Sequence, residues 1–599
     1  MARVEQDLAV RSESVQRLYG LYIADRFEVN RRYQRKLVWS VEEKQKLVDS
    51  MLRDLPLPLF LVAELTTGTD ASLELIDGLQ RLNAIFAFLE NEYPINGKYF
   101  DLDALADTKL MKDEGRLEQK EPKLEREAST DFVNYTVALS VYRAADQASI
   151  EEVFRRINSG GRRLSRQSLR QAGTVSSLAD LVRVLSSEIR GDTSPTDSVP
   201  LRRMPQLSIS NYDLDYGVVV DEIFWVENGI LRREDVRESL DEQLILDLLI
   251  DVTIEPTPSS GTRVRDAYYS YGDIDSAESA EAVAIAASID LKGAGAIKIA
   301  FKRAYDAVRT VVRKSDKKFS NLVGAGPGGR NPRYFHITFL AFYELINVDR
   351  LRLNDVDKAV KALTKIGGAA LNVPGGGGDW TAKSKRATVD AVKGVLRSSF
   401  EGPVDGDDLG SFGYASQLEV LLGNARVEQQ LFDCKQGLFT LASNDRKFDP
   451  GALATIARTL AAMANMGKGA VGYVAVGIAD DKKDAERVEE LDGVNAIEYR
   501  KFLVVGVERE ALLAGKPLND YWHWITQKLA GVGLDPALLS QVLANARLVP
   551  YEGRVVLLFK VSALAAPIFF EGQLWERAGS QTVLVQQADY ARVFGAFTA

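Results

Sequence analysis

Strand-like and helix-like hydrophobic patterns alternate at both ends of this chain of 599 residues. Near the N-terminus, Ser40 and Glu43 have the S-x-x-E spacing of a capping box, and apolar residues follow them at helical spacing. The strand-like segments 59–65 and 73–76 come next, and a second amphipathic helix follows them. Similar alternation returns in residues 415–599, so the sequence predicts a mixed α/β fold with several domains, since a domain usually has about 100–200 residues.

The region between these two ends has mostly helical patterns and is interrupted by polar or glycine-rich segments. The glycine-rich segments 324–332 and 372–380 lack the Lys-Ser or Lys-Thr pair of a Walker A loop, which is typical of plain loops or linkers. The acidic, glycine-rich segment 401–413 is typical of a domain boundary. We therefore predict three domains, a mixed α/β domain, a mostly helical middle domain and a second α/β domain, with the boundaries 1–175, 176–400 and 415–599.

Histidine and cysteine are scarce, which excludes several kinds of site. Because Cys434 is the single cysteine, an internal disulfide and every multi-cysteine zinc site are excluded. The two histidines, His336 and His523, form no HExxH motif, no G-x-S-x-G motif is present, and we expect both histidines to be structural. A hydrolase of this composition is expected to use carboxylates with a metal ion or a bound nucleotide. The single cysteine, the charged start and the lack of a long apolar run predict a cytoplasmic protein without a membrane partner.

The charge of the chain is unevenly distributed. The net charge is −9, yet basic residues cluster in three stretches, at 31–53, 155–170 and 309–333. Clusters of this kind on an acidic background suit a local phosphate-binding groove. A solvated helix face explains any one of them equally well.

The segment Asp77-Gly78-Leu79-Gln80-Arg81 joins a predicted strand to a predicted helix. A helix N-terminus attracts phosphate through its unpaired N–H groups and its dipole, and Gly78 would let the backbone approach a ligand closely. Arg81 offers a bidentate fork to phosphate oxygens, and Asp77 could cap the helix or bind a metal ion or a ribose hydroxyl. From these residues alone, a capping aspartate and a surface arginine are the more common explanation.

Three segments in this order, 30–62, 76–89 and 153–165, resemble the N-terminal domain of GmrSD-type modification-dependent restriction systems. That family is similar to ParB and sulfiredoxin in its core and is associated with NTP hydrolysis and with the sensing of modified DNA. Leu79 stands where the family motif has its first glutamine. The resemblance implies a nucleotide or phosphate pocket and a neighbouring loop. They would be formed by Gln34, Arg35, Asp77, Gln80 and Arg81 (pocket) and by Asn158, Gly160 and Gly161 (loop). The basic stretch 155–170 adds Arg155, Arg162 and Arg163 as candidate nucleic-acid contacts.

A group of carboxylates stands out in residues 415–599. Asp433 and Lys435 are two apart on a predicted strand and therefore share one face of it. Glu428 could approach that face from the preceding turn, and Asp480 follows the next predicted strand, 471–478. Three such carboxylates could hold Mg²⁺ or Mn²⁺, which would polarise a phosphodiester and lower the pKa of an attacking water. By spacing alone, a surface ion pair is the more common explanation of an acid-x-lysine strand.

Four motifs in order give these carboxylates a wider context. The segments 428–435, 461–469, 477–480 and 567–580 resemble the motifs of the Schlafen AlbA-like domain. Members of that family bind nucleic acid, and some are metal-dependent endoribonucleases that act on structured RNA such as tRNA. The resemblance implies an acidic metal site, an assisting base or phosphate contact, and a clamp on the nucleic-acid backbone. These roles would fall to Glu428, Asp433 and Asp480 (metal), to Lys435 (base or phosphate contact), and to Arg577 (clamp).

Three functional hypotheses follow. The first is an antiviral defence protein that senses DNA or a nucleotide with residues 1–175 and cleaves nucleic acid with residues 415–599, using Mg²⁺ or Mn²⁺ and with NTP as a further ligand. The second is a non-catalytic regulator that binds nucleic acid through the same surfaces. The third confines activity to the N-terminal domain, as an NTPase or a DNA-nicking enzyme. The partner in each case is DNA or RNA, and the sequence is compatible with a homo-oligomer.

Overall fold

We describe the fold from a computed structural model of the chain. The structure describes residues 8–32, 36–65, 72–144, 149–150, 152–154, 156, 165–172, 174, 176–194, 196–210, 217–271, 278–325, 330–364, 366, 380–402, 414–425, 429–443, 445–479 and 481–598.

The chain divides into two compact units, Met1–Asp407 and Asp408–Ala599. The predicted fold class, mixed α/β with more than one domain, is confirmed. The second unit begins inside the predicted boundary segment 401–413. The predicted division of the first unit near residue 175 stays a prediction, and a short strand from beyond that point, Ser198–Pro200, pairs with the strand Phe27–Asn30 near the N-terminus.

The strands of the first unit are β1 (Leu8–Ser14), β2 (Phe27–Asn30), β3 (Phe60–Leu65), β4 (Ser72–Asp77), β5 (Thr136–Ala144), β6 (Ser198–Pro200), β7 (Ile209–Ser210), β8 (Val218–Val219), β9 (Arg352–Leu353) and β10 (Phe400–Glu401). The first six form one mixed sheet in the order β1-β5-β3-β4-β2-β6. The pairs β3/β5 and β2/β4 are parallel, and the other neighbours are antiparallel.

Most of the described helices of the first unit follow β6 in sequence. The described helices of this unit are α1 (Val15–Ile23), α2 (Val41–Leu52), α3 (Leu79–Leu89), α4 (Ala106–Asp113), α5 (Arg126–Asn134), α6 (Arg166–Ala172), α7 (Ser177–Arg190), α8 (Met204–Leu207), α9 (Phe224–Glu227), α10 (Arg233–Arg237), α11 (Leu240–Thr253), α12 (Thr262–Tyr268), α13 (Ala280–Lys292), α14 (Ala294–Lys314), α15 (Phe319–Leu322), α16 (Pro332–Tyr343), α17 (Val356–Thr364) and α18 (Ala382–Leu396).

Local sequence signals explain how several of these elements begin and pack. The predicted capping box is confirmed: Ser40 Oγ accepts a hydrogen bond from the Glu43 amide (3.2 Å), and Glu43 Oε2 accepts one from the Ser40 amide (2.9 Å). Val48 and Met51 form the buried face of α2, as their spacing predicts. In the later helices, the buried Trp225 ring packs edge-on against Phe335 with 4.9 Å between ring centroids.

The second unit is built around a four-stranded sheet in the order β11-β12-β17-β16. Its strands are β11 (Phe432–Lys435), β12 (Val471–Val476), β13 (Ile478–Ala479), β14 (Ile497–Tyr499), β15 (Phe502–Val504), β16 (Arg547–Tyr551), β17 (Arg554–Ser562), β18 (Phe569–Phe570), β19 (Gln573–Ala578) and β20 (Gln581–Leu584). Its helices are α19 (Tyr414–Ala425), α20 (Pro450–Ala464), α21 (Lys482–Asp492), α22 (Glu508–Leu513), α23 (Leu518–Ala530), α24 (Pro536–Asn545) and α25 (Tyr590–Thr598).

Apolar clusters cover both faces of this four-stranded sheet. Helices α20, α23 and α24 bury one face, against residues such as Val474 and Phe559, and α19 buries the other face through Leu418 and Leu422. Strand β11 is at the edge of the sheet and runs parallel to β12. This arrangement leaves Asp433 and Lys435 at the rim of the α20 layer, whereas Phe432 and Cys434 pack on the α19 side. Among the described residues of both units, no helix combines the length and the apolar character that crossing a membrane requires.

A partly buried carboxyl, that of Glu90 just after α3, makes the first unit sensitive to pH. Burial, together with the charge of Glu92, raises the pKa of Glu90 to about 7. The folded protein therefore holds this proton more tightly than the unfolded chain, so stability falls as the pH rises from about 4.5 to about 7. We expect Glu90→Gln to stabilise the protein above pH 7 by about 1–3 kcal/mol and to have little effect below pH 4.5.

Thermal unfolding of the wild type and of Glu90→Gln on both sides of this pH window checks the expectation. The exposed Glu118, which has no partner among the residues that the structure describes, serves as the matched control in Glu118→Gln. A Glu90→Gln variant that is not stabilised above pH 7, or one that is stabilised equally at acidic pH, would contradict it.

Candidate functional site

The loop between β4 and α3 brings Asp77 and Gly78 to the start of a helix. Gly78 is the N-cap residue, with a φ of 106°, and a Cβ atom at this position would lie 2.4 Å from the Phe60 Cδ1 atom. Only glycine therefore fits here without strain. Because Gly78 has no side chain to cap the first turn, the helix start keeps its anion-attracting amides. The side chain of Asp77 beside it is 48% exposed.

Gln80 faces into the protein and holds a neighbouring loop. Its Oε1 atom accepts hydrogen bonds from the amides of Val38 (3.0 Å) and Trp39 (3.2 Å), and its Nε2 atom donates to the carbonyl of Lys36 (2.7 Å). These three hydrogen bonds of the Gln80 amide all go to residues 36–39. Gln80 positions the loop that follows Gln34 and Arg35, and Trp39 is accordingly part of a structural contact.

Arg81 is also engaged within the chain. Its guanidinium bonds to Asp77 (2.8 Å) and to the carbonyls of Pro58 and Leu59, and it lies 4.6 Å from the centre of the Phe60 ring. The side chain is 12% exposed. Arg81 therefore fixes the start of β3 against the helix, and a phosphate could reach it only in competition with these partners. Leu79 is buried, which explains why an apolar residue is tolerated where the GmrSD-type motif has its first glutamine.

A buried ionic network lies on both sides of the predicted pocket residues 34 and 35. Arg31 pairs with Asp192 (3.0 Å), and Lys36 pairs with Glu242 (3.2 Å) and donates to Ser239 (3.2 Å). Arg31, Lys36 and also Lys44 are buried. Three basic residues of the stretch 31–53 are therefore internal, whereas the side chains of Lys46 and Arg53 are exposed. A phosphate-binding groove formed by this stretch stays a prediction.

Several predicted site residues lie outside the described residues, so their roles stay predictions. They are Gln34, Arg35, Arg155, Asn158, Gly160, Gly161, Arg162 and Arg163 in the first unit, and Glu428 and Asp480 in the second.

Asp433 and Lys435 lie on the edge strand β11, on the same face of the sheet, as their spacing predicts. Asp433 Oδ2 lies 3.3 Å from Lys435 Nζ, and the two side chains are 16% and 27% exposed. Asp433 is in register with Val474 of β12, whose side chain packs in the α20 layer. A carboxylate and an ammonium group therefore stand together at the rim of the sheet, half-buried and within reach of a ligand.

Arg577 of β19 approaches the same carboxylate from the other side, but it is buried. Its guanidinium donates to the carbonyls of Gln430 (3.2 Å) and Phe432 (3.3 Å) and to Thr582 (2.9 Å), and Nη2 lies 3.8 Å from Asp433 Oδ1. Its exposed fraction is 3%. Burial lowers the pKa of Arg577, although the charge of Asp433 opposes this shift. Arg577 thus ties β19 to β11, and a contact with a nucleic-acid backbone stays a prediction.

Asn465 joins two of the sequence motifs. Its Nδ2 atom donates to the carbonyls of Ile568 and Trp575 (both 2.9 Å), and its Oδ1 atom accepts from the Ile568 amide (2.8 Å). The end of α20 is thereby fixed to the segment that contains Arg577. Together with the contacts of Arg577, this brings segments 429–435, 461–469 and 567–580 into one body around Asp433.

The described residues contain no group of three or more metal-binding side chains. Glu428 and Asp480 are not among these residues, so Asp433 is the one carboxylate of the predicted three-carboxylate site that the described residues include, and the site stays a prediction. As expected, His336 is structural: its Nε2 atom lies 2.6 Å from Asp251 Oδ2, and Lys385 bonds to both oxygens of the same carboxylate at 2.7 Å. His523 lies exposed on α23.

Comparison with known families decides the nature of the N-terminal region. Residues 18–174 match the model of the GmrSD restriction endonuclease, N-terminal domain. The predicted GmrSD-type N-terminal domain is thereby confirmed over residues 18–174, which include Asp77, Gln80 and Arg81, and its boundaries 1–175 stay a prediction. The Schlafen AlbA-like resemblance of residues 415–599 stays a prediction.

No curated protein matches the chain. Among solved structures, the DIP2311 protein from Corynebacterium diphtheriae is similar over 27% of this chain and 23% of its own, with 21% identity and a TM-score of 0.18. The chain therefore spans about a quarter of that protein, and a likeness of this size carries no argument.

Proposed function

We propose that this protein is an anti-phage defence nuclease of the restriction type. In this proposal the GmrSD-type domain senses DNA or a nucleotide, and the second unit cleaves nucleic acid with Mg²⁺ or Mn²⁺. The observation that carries the proposal is the match of residues 18–174 to the N-terminal domain of a restriction endonuclease.

The geometry near Asp77 supports the sensing role. At this uncapped helix start, the backbone amides can donate hydrogen bonds to phosphate oxygens. The half-exposed carboxylate of Asp77 beside it can bind a ribose hydroxyl or a metal ion. Gln80 and Arg81 would hold the two flanking segments and keep this opening in shape. NTP would be the ligand of this opening, and its hydrolysis is part of the proposal.

The rim of the second sheet supports the cleaving role. Asp433 would be one ligand of the metal ion, with Glu428 and Asp480 as the others, and the metal would supply charge stabilisation and an activated water. Lys435, 3.3 Å from Asp433, would hold a scissile phosphate or assist proton transfer. RNA, including tRNA, and DNA both fit this chemistry.

One observation favours the alternative, a non-catalytic regulator that binds nucleic acid. Asp433 already stands between Lys435 and Arg577, so its charge is balanced without a metal ion. In the regulator, these residues would hold β11 and β19 together and have no part in cleavage. A regulator would bind nucleic acid equally well with and without a divalent ion.

A cleavage assay on the full chain separates the two functions. Labelled RNA, single-stranded DNA and duplex DNA are each incubated with Mn²⁺, with Mg²⁺ or with EDTA, and in the presence and absence of NTP. The nuclease predicts products with at least one nucleic acid in Mn²⁺ or Mg²⁺ and none in EDTA. Binding without products under every condition would reject the nuclease and leave the regulator.

A further inference from the structure

The second unit contains an arginine that is better placed for a ligand than Arg577. Arg577 donates hydrogen bonds to Gln430, Phe432 and Thr582 inside the protein. Arg458 of α20, in contrast, has no ion pair and no hydrogen bond to any described residue. Partial burial removes water from this guanidinium, and no hydrogen bond to a described residue compensates for that loss of free energy. An anionic ligand would supply the missing hydrogen bonds.

The ring of Trp575 holds Arg458 in a fixed place. The guanidinium carbon lies 4.7 Å from the centre of that ring, and Arg458 Nε and Trp575 Nε1 are both buried without a hydrogen-bond partner among the described residues. The two Nη atoms of Arg458 are not among these buried atoms, and the residue as a whole is partly exposed. An arginine stacked on an aromatic ring loses little further freedom when it binds, so its fork is preorganised for a phosphate.

Arg458 belongs to the same side of the unit as Asp433. Trp575 and Arg577 are two residues apart on β19, so they share a face and lie roughly 7 Å apart along the strand. Thr459, next to Arg458 on α20, lies 3.2 Å from Thr582, and Thr582 accepts the hydrogen bond from Arg577. The same Arg577 reaches Asp433 at 3.8 Å. The stacked arginine thus stands beside the strand that borders the Asp433 rim.

We propose that Arg458, stacked on Trp575, binds a backbone phosphate of the nucleic acid that enters the Asp433 rim. This assignment rests on the proposed function insofar as the second unit binds nucleic acid, and it holds for cleavage and regulation alike. A phosphate contact is independent of sequence, so the substrate would be recognised here by its backbone and not by its bases. Arg577 then acts as a positioning residue that keeps β19 against β11.

The salt dependence of binding tests this contact directly. The full chain and its Arg458→Gln variant are titrated against fluorescein-labelled oligonucleotides of mixed sequence, as RNA, single-stranded DNA and duplex DNA, in EDTA to prevent metal-dependent cleavage. Loss of one phosphate contact predicts binding about tenfold weaker. It also predicts a plot of log Kd against log salt that is shallower by about 0.7 for single strands and about 0.9 for the duplex.

Two further variants make the test specific. Arg592→Gln removes the same charge from the same unit, but Arg592 is already bound to both oxygens of Glu576 (2.6 and 2.8 Å), so we expect no change in the slope. Arg458→Lys keeps the charge and loses the planar fork, so we expect weaker binding with an unchanged slope. If Arg458→Gln does not fold, the affinity of Arg458→Lys decides.

The outcomes separate this proposal from the proposed function. Equal affinity and slope for wild type and Arg458→Gln with all three nucleic acids would overturn the phosphate contact, as would an equal change in Arg592→Gln. A changed slope in a protein that cleaves nothing would reject the nuclease and support the contact. A wild-type chain that binds none of the three probes would overturn both.

Discussion

Arg190→Met is expected to lower the free energy of unfolding of the protein by about 3–5 kcal/mol, because it leaves three buried carboxylates without their shared partner. Arg190 contacts Asp192 (3.0 Å), Asp241 (2.6 Å) and Glu242 (3.3 Å), and all four side chains are fully buried. Burial by itself would raise the pKa of Asp192, but the charges of Arg190 and Arg31 outweigh it and hold this pKa below its usual range. The same carboxylates also receive Arg31 and Lys36, which flank the predicted pocket residues 34 and 35.

The matched control for Arg190→Met is on the same helix. Arg183 of α7 pairs with Asp180 (3.1 Å) and Asp197 (2.6 Å), which are 46% and 48% exposed, so Arg183→Met should cost about 1 kcal/mol or less. Urea unfolding of the two variants, followed by fluorescence and circular dichroism, measures the difference. Equal losses in the two variants would show that the buried network does not stabilise the first unit as described.

Asp433→Asn is expected to reduce metal-dependent cleavage at least about 100-fold. Mutation of a residue that only orients a metal ligand commonly lowers metal affinity or activity about 10–100-fold, and loss of a direct ligand should lower activity at least as much. The change removes one negative charge and nearly no volume, and the two cations at 3.3 and 3.8 Å remain in place. Binding of nucleic acid in EDTA should therefore be unchanged or tighter, since a repulsive charge near the phosphate is lost.

Asp445→Asn is the control for this variant. Asp445 lies in the same unit, pairs with Lys447 at 2.5 Å and is 62% exposed, so we expect full activity. The readout is the initial rate of product formation with Mn²⁺ on the nucleic acid that the wild type cleaves best. Wild-type rates in Asp433→Asn would remove Asp433 from the active site.

Local patterns in the sequence were enough to predict many elements of the fold. The capping box of Ser40 and Glu43, the strand at 73–76 and the helix with Leu82 on its buried face follow from short-range spacing. The placement of Asp433 and Lys435 on one face of β11 follows from the two-residue period of a strand. These features depend on residues a few positions apart.

The orientation of the polar motif residues could not be predicted in this way. Gln80 forms hydrogen bonds with Val38 and Lys36, which precede it by 42 and 44 positions, and Arg577 bonds to Gln430, 147 positions away. Both were predicted to face a ligand, and both donate to backbone carbonyls inside the protein. A motif shows which residues belong together, whereas the tertiary contacts decide whether a side chain positions the site or touches the ligand.

The most direct test of the account is Mn²⁺ binding by the full chain, followed by the electron paramagnetic resonance signal of free Mn²⁺ during a titration. We predict that the wild type and Asp445→Asn take up at least one Mn²⁺ per chain, and that Asp433→Asn takes up at least one fewer. Equal uptake by wild type and Asp433→Asn, or no uptake by the wild type, would contradict the claim that the carboxylates of the second unit hold a divalent ion.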